Sequence, residues 1–161
     1  MKNLTEINYP NNSKIWIFSS NKPLNSNQTE IVSSILNKFF KNWTSHGKKL
    51  KSDFMILYNY FIIVLVDENL FKASGCSIDL LVKEIIEIEE KLNIELMDKL
   101  NVKYFQNEQI ISVDVNTFKE LIKKNIINHE TLVFNNIVNN FGEFKSKWKI
   151  PAKDSWLNRY F

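Results

Sequence analysis

One short segment, residues 73–79, contains the residue types from which a nucleophilic site could be built. It holds Cys76, the only cysteine of the chain, beside Gly75, one of three glycines. The segment follows the most hydrophobic predicted strand and leads into a predicted helix. A thiolate at a helix N-terminus is stabilised by the helix dipole, which lowers the pKa of the thiol. The segment therefore suggests a cysteine nucleophile between a strand and a helix.

Three further side chains could complete such a site. His46 is the candidate base, and Asp67 or Asp79 is the candidate acid that orients the imidazole. Each residue also has a structural alternative. Cys76 would be a small buried side chain, His46 would favour the negative end of a helix dipole, Asp67 would be a solvated strand end, and Asp79 would lie in the first turn of a helix.

Composition excludes several classes of site. A chain of 161 residues with 44% hydrophobic and 24% charged residues is typical of a soluble globular domain. One cysteine excludes a disulfide framework, and two distant histidines give no metal-ligand spacing. The three glycines are too far apart for a phosphate-binding loop or a dinucleotide fingerprint. We therefore expect no metal and no cofactor.

The charge pattern bears on partners and location. The net charge of +3 comes almost entirely from lysine, with one arginine, Arg159. This pattern is typical of an AT-rich genome and disfavours nucleic-acid binding, which usually shows a clustered basic stripe. The longest apolar run, residues 60–66, is far shorter than the ~20 residues that span a bilayer. Residues 1–6 are polar, unlike a signal peptide, so we expect a cytoplasmic protein without a membrane span.

Hydrophobic periodicity predicts the elements that position these residues. The predicted helices of the first part are residues 28–43 and 77–92. The predicted strands are residues 14–19, 52–58 and 60–66, with a turn at Asn59. Gly47 is expected to end the first helix, and Ser77 is expected to cap the second. Shorter strands are predicted at residues 102–105, 109–113 and 131–134, and shorter helices at residues 117–125 and 141–148.

The order of these elements predicts the fold class. The β-α-β-β-α-β order of residues 1–105 indicates a ferredoxin-like core, and the C-terminal third adds a β/α extension. We expect residues 1–161 to form a single α+β domain. A larger mixed sheet with another strand order stays open. In a ferredoxin-like sheet, the loops carrying His46 and Cys76 emerge at the same edge, so Asp67 and Asp79 would lie near them.

The C-terminal residues form an aromatic segment with interleaved cations. Tryptophan, tyrosine and arginine are enriched in the energetic centres of protein interfaces. We therefore predict Trp156 and Arg159 as binding residues for a protein partner or a second copy of the chain. A packed strap over the core is the structural alternative. Ser77 is a third candidate binding residue, because helix N-terminal amides can hold an anion.

Five segments resemble a family of small proteins from the Bacteroidetes. They are Trp43-Thr44-Ser45-His46-Gly47, Val66-Asp67-Glu68, Ser74-Gly75-Cys76-Ser77-Ile78-Asp79, Thr131-Leu132-Val133-Phe134-Asn135 and Asp154-Ser155-Trp156. Members of that family commonly carry the label "ABC transporter ATPase". The resemblance implies a bacterial cytoplasmic protein. The chain has no Walker A motif and no glycine-rich ABC signature, so its residues argue against ATPase activity.

These observations favour a non-enzymatic binding or accessory domain. The missing cofactor and metal motifs and the aromatic C-terminal segment both point to this class. The alternative is a small Cys-dependent enzyme, hydrolase- or transferase-like, that uses Cys76 with His46 and Asp67 or Asp79. A ligand-binding sensor that uses the same edge is a third interpretation.

Overall fold

A computed structural model describes residues 7–161. Residues 1–6, on which the expectation of no signal peptide depends, lie outside the described part. The described residues combine α-helices with several antiparallel sheets. They divide into two compact units, one containing the described residues up to Met97 with Asn139–Gly142, and one containing Asp98–Val138 with Glu143–Phe161. The expectation of a single domain stays a prediction.

The first unit alternates strands and helices. Its elements are β1 (Lys14–Ser19), α1 (Ser26–Asn42), β2 (Thr44–Ser45), β3 (Lys48–Lys49), β4 (Ser52–Leu57), β5 (Phe61–Val66) and α2 (Gly75–Leu92). The strand order of the main sheet is β1-β5-β4, with both pairs antiparallel. Every residue of β5 is buried, as expected for a central strand that is apolar on both faces.

The apolar stripes of α1 and α2 explain how this unit forms its core. Val32 and Leu36 of α1 and Leu81 and Ile85 of α2 are fully buried in one cluster with side chains of the sheet. Residues spaced by three or four positions lie on one face of a helix, so the periodicity of the sequence becomes the packed face. Asn25 caps α1, and the turn between β4 and β5 forms at Tyr58 and Asn59, both with positive φ.

The second unit is built on a four-stranded antiparallel sheet. Its elements are β6 (Asn101–Gln106), β7 (Gln109–Asp114), α3 (Val115–Lys123), β8 (Leu132–Phe134), most of α4 (Phe141–Lys147) and β9 (Lys149–Pro151). The strand order is β7-β6-β8-β9. Phe118 of α3 and Leu157 of the C-terminal 3-10 turn are fully buried in its core cluster. The C-terminal segment therefore packs on the core of its own unit.

The fold confirms the mixed α and β class with antiparallel sheets. The order β1-β5-β4 matches three of the four strands of a ferredoxin-like sheet. The predicted fourth strand, β6, pairs instead with β7 and β8. The ferredoxin-like arrangement of four strands is therefore not confirmed.

Candidate functional site

The start of α2 differs from the sequence prediction. Ser74 is the N-cap residue, and its side chain accepts a hydrogen bond from the backbone N–H of Ser77. Ser77 is buried, and its hydroxyl donates to the Ser74 carbonyl at 2.8 Å. The prediction that Ser77 caps the helix is wrong, because Ser74 already satisfies the free amide. Asp79 consequently lies beyond the first turn, where it does not complement the helix dipole.

Cys76 lies in the first turn of α2 as an exposed free thiol. The structural alternative of a small buried cysteine is therefore wrong. Gly75 beside it faces open space, since nothing lies within 4 Å of the position that a Cβ would occupy. The thiol is thus accessible to reagents from solution.

His46 lies in a β-hairpin rather than at a helix end. Helix α1 ends at Asn42, and Trp43 continues in an extended conformation. His46 and Gly47 form the two-residue turn between β2 and β3, with φ of 49° and 73°. Two successive residues with positive φ are typical of a type I′ hairpin turn. The predicted helix-ending role of Gly47 is therefore wrong, and His46 is an exposed turn residue.

Asp67 is committed to structural interactions. Its carboxylate is buried and accepts hydrogen bonds from Lys51 Nζ at 2.9 Å and from the backbone N–H of Asn69 at 3.1 Å. The hydrogen bond from Lys51 is the main reason that the pKa of Asp67 lies below its usual value. The predicted alternative of a solvated strand end is wrong, because both carboxylate oxygens have protein partners.

These segments converge at one end of the first unit. The Trp43 indole donates to the Ser77 carbonyl at 2.8 Å, and β2 contacts α2. The Asp67 backbone N–H donates to the Lys51 carbonyl, which joins the residue after β5 to the short segment between the hairpin and β4. We call the region formed by the β2–β3 hairpin, residues 67–74 and the first turn of α2 the hairpin end. The sequence correctly anticipates that these loops share an edge.

The four predicted catalytic residues do not interact with one another at the hairpin end. Within residues 7–161, no hydrogen bond or ion pair joins any two of Cys76, His46, Asp67 and Asp79. In the same part of the chain, no group of three or more His, Cys, Asp or Glu side chains is arranged to hold a metal ion. The catalytic roles of these four residues remain predictions.

The C-terminal segment presents a stack of aromatic rings and cations. The Arg159 guanidinium lies 5.1 Å from the Trp156 ring centroid and 4.9 Å from that of Tyr160. It also donates to the Tyr160 hydroxyl at 2.9 Å, and Lys119 Nζ lies 4.7 Å from the centroid of the Tyr160 ring. Trp156 and Tyr160 are half-buried against the core, which holds them in place. We call Lys119, Trp156, Arg159 and Tyr160 the aromatic stack.

A buried lysine on β6 was missed by the sequence analysis. Lys103 is only 2% exposed, and burial lowers the pKa of its ammonium group to about 8. Its Nζ donates to Asn101 Oδ1 at 2.6 Å, and the Ser112 hydroxyl donates to the same oxygen at 2.8 Å. Lysine is abundant in this chain, so only its position inside the run Val102-Lys103-Tyr104 could have marked it.

The comparisons with known proteins assign no role to any of these residues. No protein-family model, curated protein or solved structure matches the chain. None of the helices within residues 7–161 combines the length and apolar character needed to cross a membrane.

Proposed function

We propose that this protein is a non-enzymatic binding or accessory domain that engages an acidic segment of another protein through the aromatic stack. The observation that carries this proposal is the exposed Arg159 guanidinium held against two aromatic rings. A surface that combines tryptophan, tyrosine and arginine provides large contact area with little loss of side-chain freedom on binding.

The charges of the stack support an acidic partner. One N–H of Arg159 is used by Tyr160, and the planar guanidinium has five such donors. In the described part of the chain, no carboxylate side chain lies within ion-pair distance of Arg159. Lys119 adds a second cation over the Tyr160 ring. A partner carboxylate could therefore pair with the guanidinium in a bidentate manner.

Photo-crosslinking from the neighbouring exposed residue tests this proposal. A photoreactive amino acid replaces Asn158 in the full chain, expressed in the source organism. We expect a discrete crosslinked partner whose yield falls about tenfold or more with Arg159→Glu, because an arginine at the energetic centre of an interface contributes about 2 kcal/mol or more.

The matched control is Lys153→Glu, a charge reversal on the same segment at a residue that pairs with Glu130. It should leave the yield unchanged. A crosslink that persists in Arg159→Glu, or no crosslink at all, contradicts the proposal. A crosslinked species of twice the chain mass indicates self-association and contradicts a different protein as partner.

A small Cys-dependent enzyme is the second candidate, and the exposure of Cys76 at a helix N-terminus favours it. The pH dependence of iodoacetamide alkylation tests it, with Cys76→Ser as the blank. The enzyme hypothesis expects reaction to persist well below the ordinary thiol pKa of about 8.5 and to depend on His46. An ordinary profile that His46→Ala leaves unchanged contradicts this candidate.

We also propose a ferredoxin-like relationship, membership of the Bacteroidetes family and a cytoplasmic location. The order β1-β5-β4 supports a ferredoxin-like relationship of the first unit. The five quoted segments support membership of the Bacteroidetes family and, through it, a cytoplasmic location. None of the three adds a catalytic step.

A further inference from the structure

The hairpin end carries consecutive apolar side chains on an exposed turn. Leu70 is 62% exposed and Phe71 is 43% exposed, a few residues after the buried strand β5. Exposed large apolar residues in neighbouring positions are a more informative observation than a single exposed leucine. Packing in the core therefore does not explain why these two large apolar side chains lie at this turn.

The turn that carries them is held in place by polar contacts of the first unit. Asn69 donates through its backbone and side chain to Asp67 Oδ1, and the Asn12 side chain donates to Asn69 Oδ1 at 2.9 Å. Glu68 Oε1 accepts a hydrogen bond from the Ala73 backbone N–H at 3.1 Å, which closes the loop. Leu70 and Phe71 therefore lie on a turn that these hydrogen bonds hold in one conformation.

Exposed lysines lie in the segments that form this end of the unit. Lys48 and Lys49 lie on the hairpin, Lys72 follows Phe71, and all three are exposed. Of the two carboxylates in residues 67–74, Asp67 is paired with Lys51 and Glu68 is half-buried. The exposed charge of the hairpin end is thus mainly positive, which complements an anionic surface.

We propose that the hairpin end binds the surface of an anionic lipid bilayer, with Leu70 and Phe71 entering the headgroup region and the lysines facing lipid phosphates. Lysine is a compact, strongly hydrated cation that suits attraction to a diffusely charged surface, whereas the only arginine lies in the aromatic stack. A fluid interface accepts two protruding apolar side chains without the shape match that a protein partner requires.

Co-sedimentation of the full chain with vesicles tests this proposal. One set of vesicles is phosphatidylcholine alone, and the other contains equimolar phosphatidylglycerol. We expect binding to the anionic vesicles only, weakened by added salt because the attraction is screened. The pairs Lys48→Glu with Lys49→Glu and Leu70→Ser with Phe71→Ser should each lower the partition coefficient about tenfold or more.

Matched substitutions in the second unit are the controls. Leu100 is 60% exposed, and Lys99 and Lys124 are exposed. Leu100→Ser, and Lys99→Glu with Lys124→Glu, should leave vesicle binding unchanged.

Equal binding to both vesicle types, no binding, or equal losses in the control variants would overturn the proposal. In the Arg159→Glu variant, binding to a soluble polyglutamate peptide that is lost with Lys48→Glu and Lys49→Glu, without binding to vesicles, would also overturn it, in favour of an acidic protein. None of these results depends on Arg159, so the partner proposed for the aromatic stack stands or fails separately.

Discussion

Asp67 shows how the surroundings of one residue decide its role. Its position between a buried strand and the Cys76 segment suggests a catalytic acid. In the structure, Lys51 and Asn69 occupy its oxygens. A carboxylate that already accepts charged and neutral hydrogen bonds is a poor base, because its protonation would break them. No motif marks Lys51 as its partner, since the two residues meet only through the pairing of β4 with β5.

Lys103 gives a prediction about pH at the same scale. Its pKa in the folded chain is about 8, below the ordinary value of 10.5. The unfolded chain therefore binds more protons between these two values, and the free energy of unfolding rises with pH in this window. Below about pH 8 the amine is protonated in both states, so the free energy of unfolding no longer changes with pH through Lys103.

We expect Lys103→Met to remove this pH dependence. Relative to the variant, the wild-type chain should gain about 2 kcal/mol between pH 7 and pH 10 in urea unfolding. Asn101 Oδ1 keeps the hydrogen bond from Ser112 in the variant. Tyr9, whose pKa is raised to about 12, is present in both proteins and cancels in the difference. If the free energy of unfolding changes with pH in the same way in both proteins, the prediction is refuted.

Helix α1 shows how the residues at a helix N-terminus determine where the helix begins. The Asn25 side chain accepts a hydrogen bond from the backbone N–H of Gln28, and the Gln28 side chain accepts one from the backbone N–H of Asn25. This reciprocal pair is a capping box, which satisfies two amides that lack partners within the helix. It sets the start of α1 at Ser26, two residues before the predicted start.

Asn25→Ala is expected to lower the free energy of unfolding by about 1 kcal/mol, because the N-cap acceptor is lost. Chemical denaturation at neutral pH measures the change. The control is Asn27→Ala, the same substitution at an exposed position within the first turn. It should be close to neutral, and an equal loss in both variants would show that the cap contributes nothing specific.

Among the described residues, one cluster of buried side chains lies within the first compact unit and another lies within the second. The expectation of one domain implies that the two clusters unfold together, as single domains of about this size usually do. Trp43 belongs to the first cluster, and Trp156 packs against the second. The tryptophans are therefore reporters of the two units.

Fluorine NMR of the fluorotryptophan-labelled chain during urea unfolding tests this expectation. The resonances of Trp43 and Trp156, assigned by Trp→Phe variants, should lose intensity at the same urea concentration. Different midpoints would show that the chain is two domains.

Local signals in the sequence determined much of the secondary structure. Periodic apolar residues predicted α1 and α2, and β-rich runs predicted β1, β4 and β5, because a repeat of 3.6 or 2 depends only on neighbouring residues. Asn59 marked the turn for the same reason, since its tolerance of positive φ is an intrinsic property.

Only the tertiary structure decided which elements and side chains meet. It paired β6 with β7 and β8 instead of β1, placed Lys103 in a buried position, and brought Lys119 over the ring of Tyr160. Each of these outcomes depends on contacts between residues distant in sequence or on the packing of a whole unit. Their free energies exist only once the chain has folded, so no local pattern of residues could reveal them.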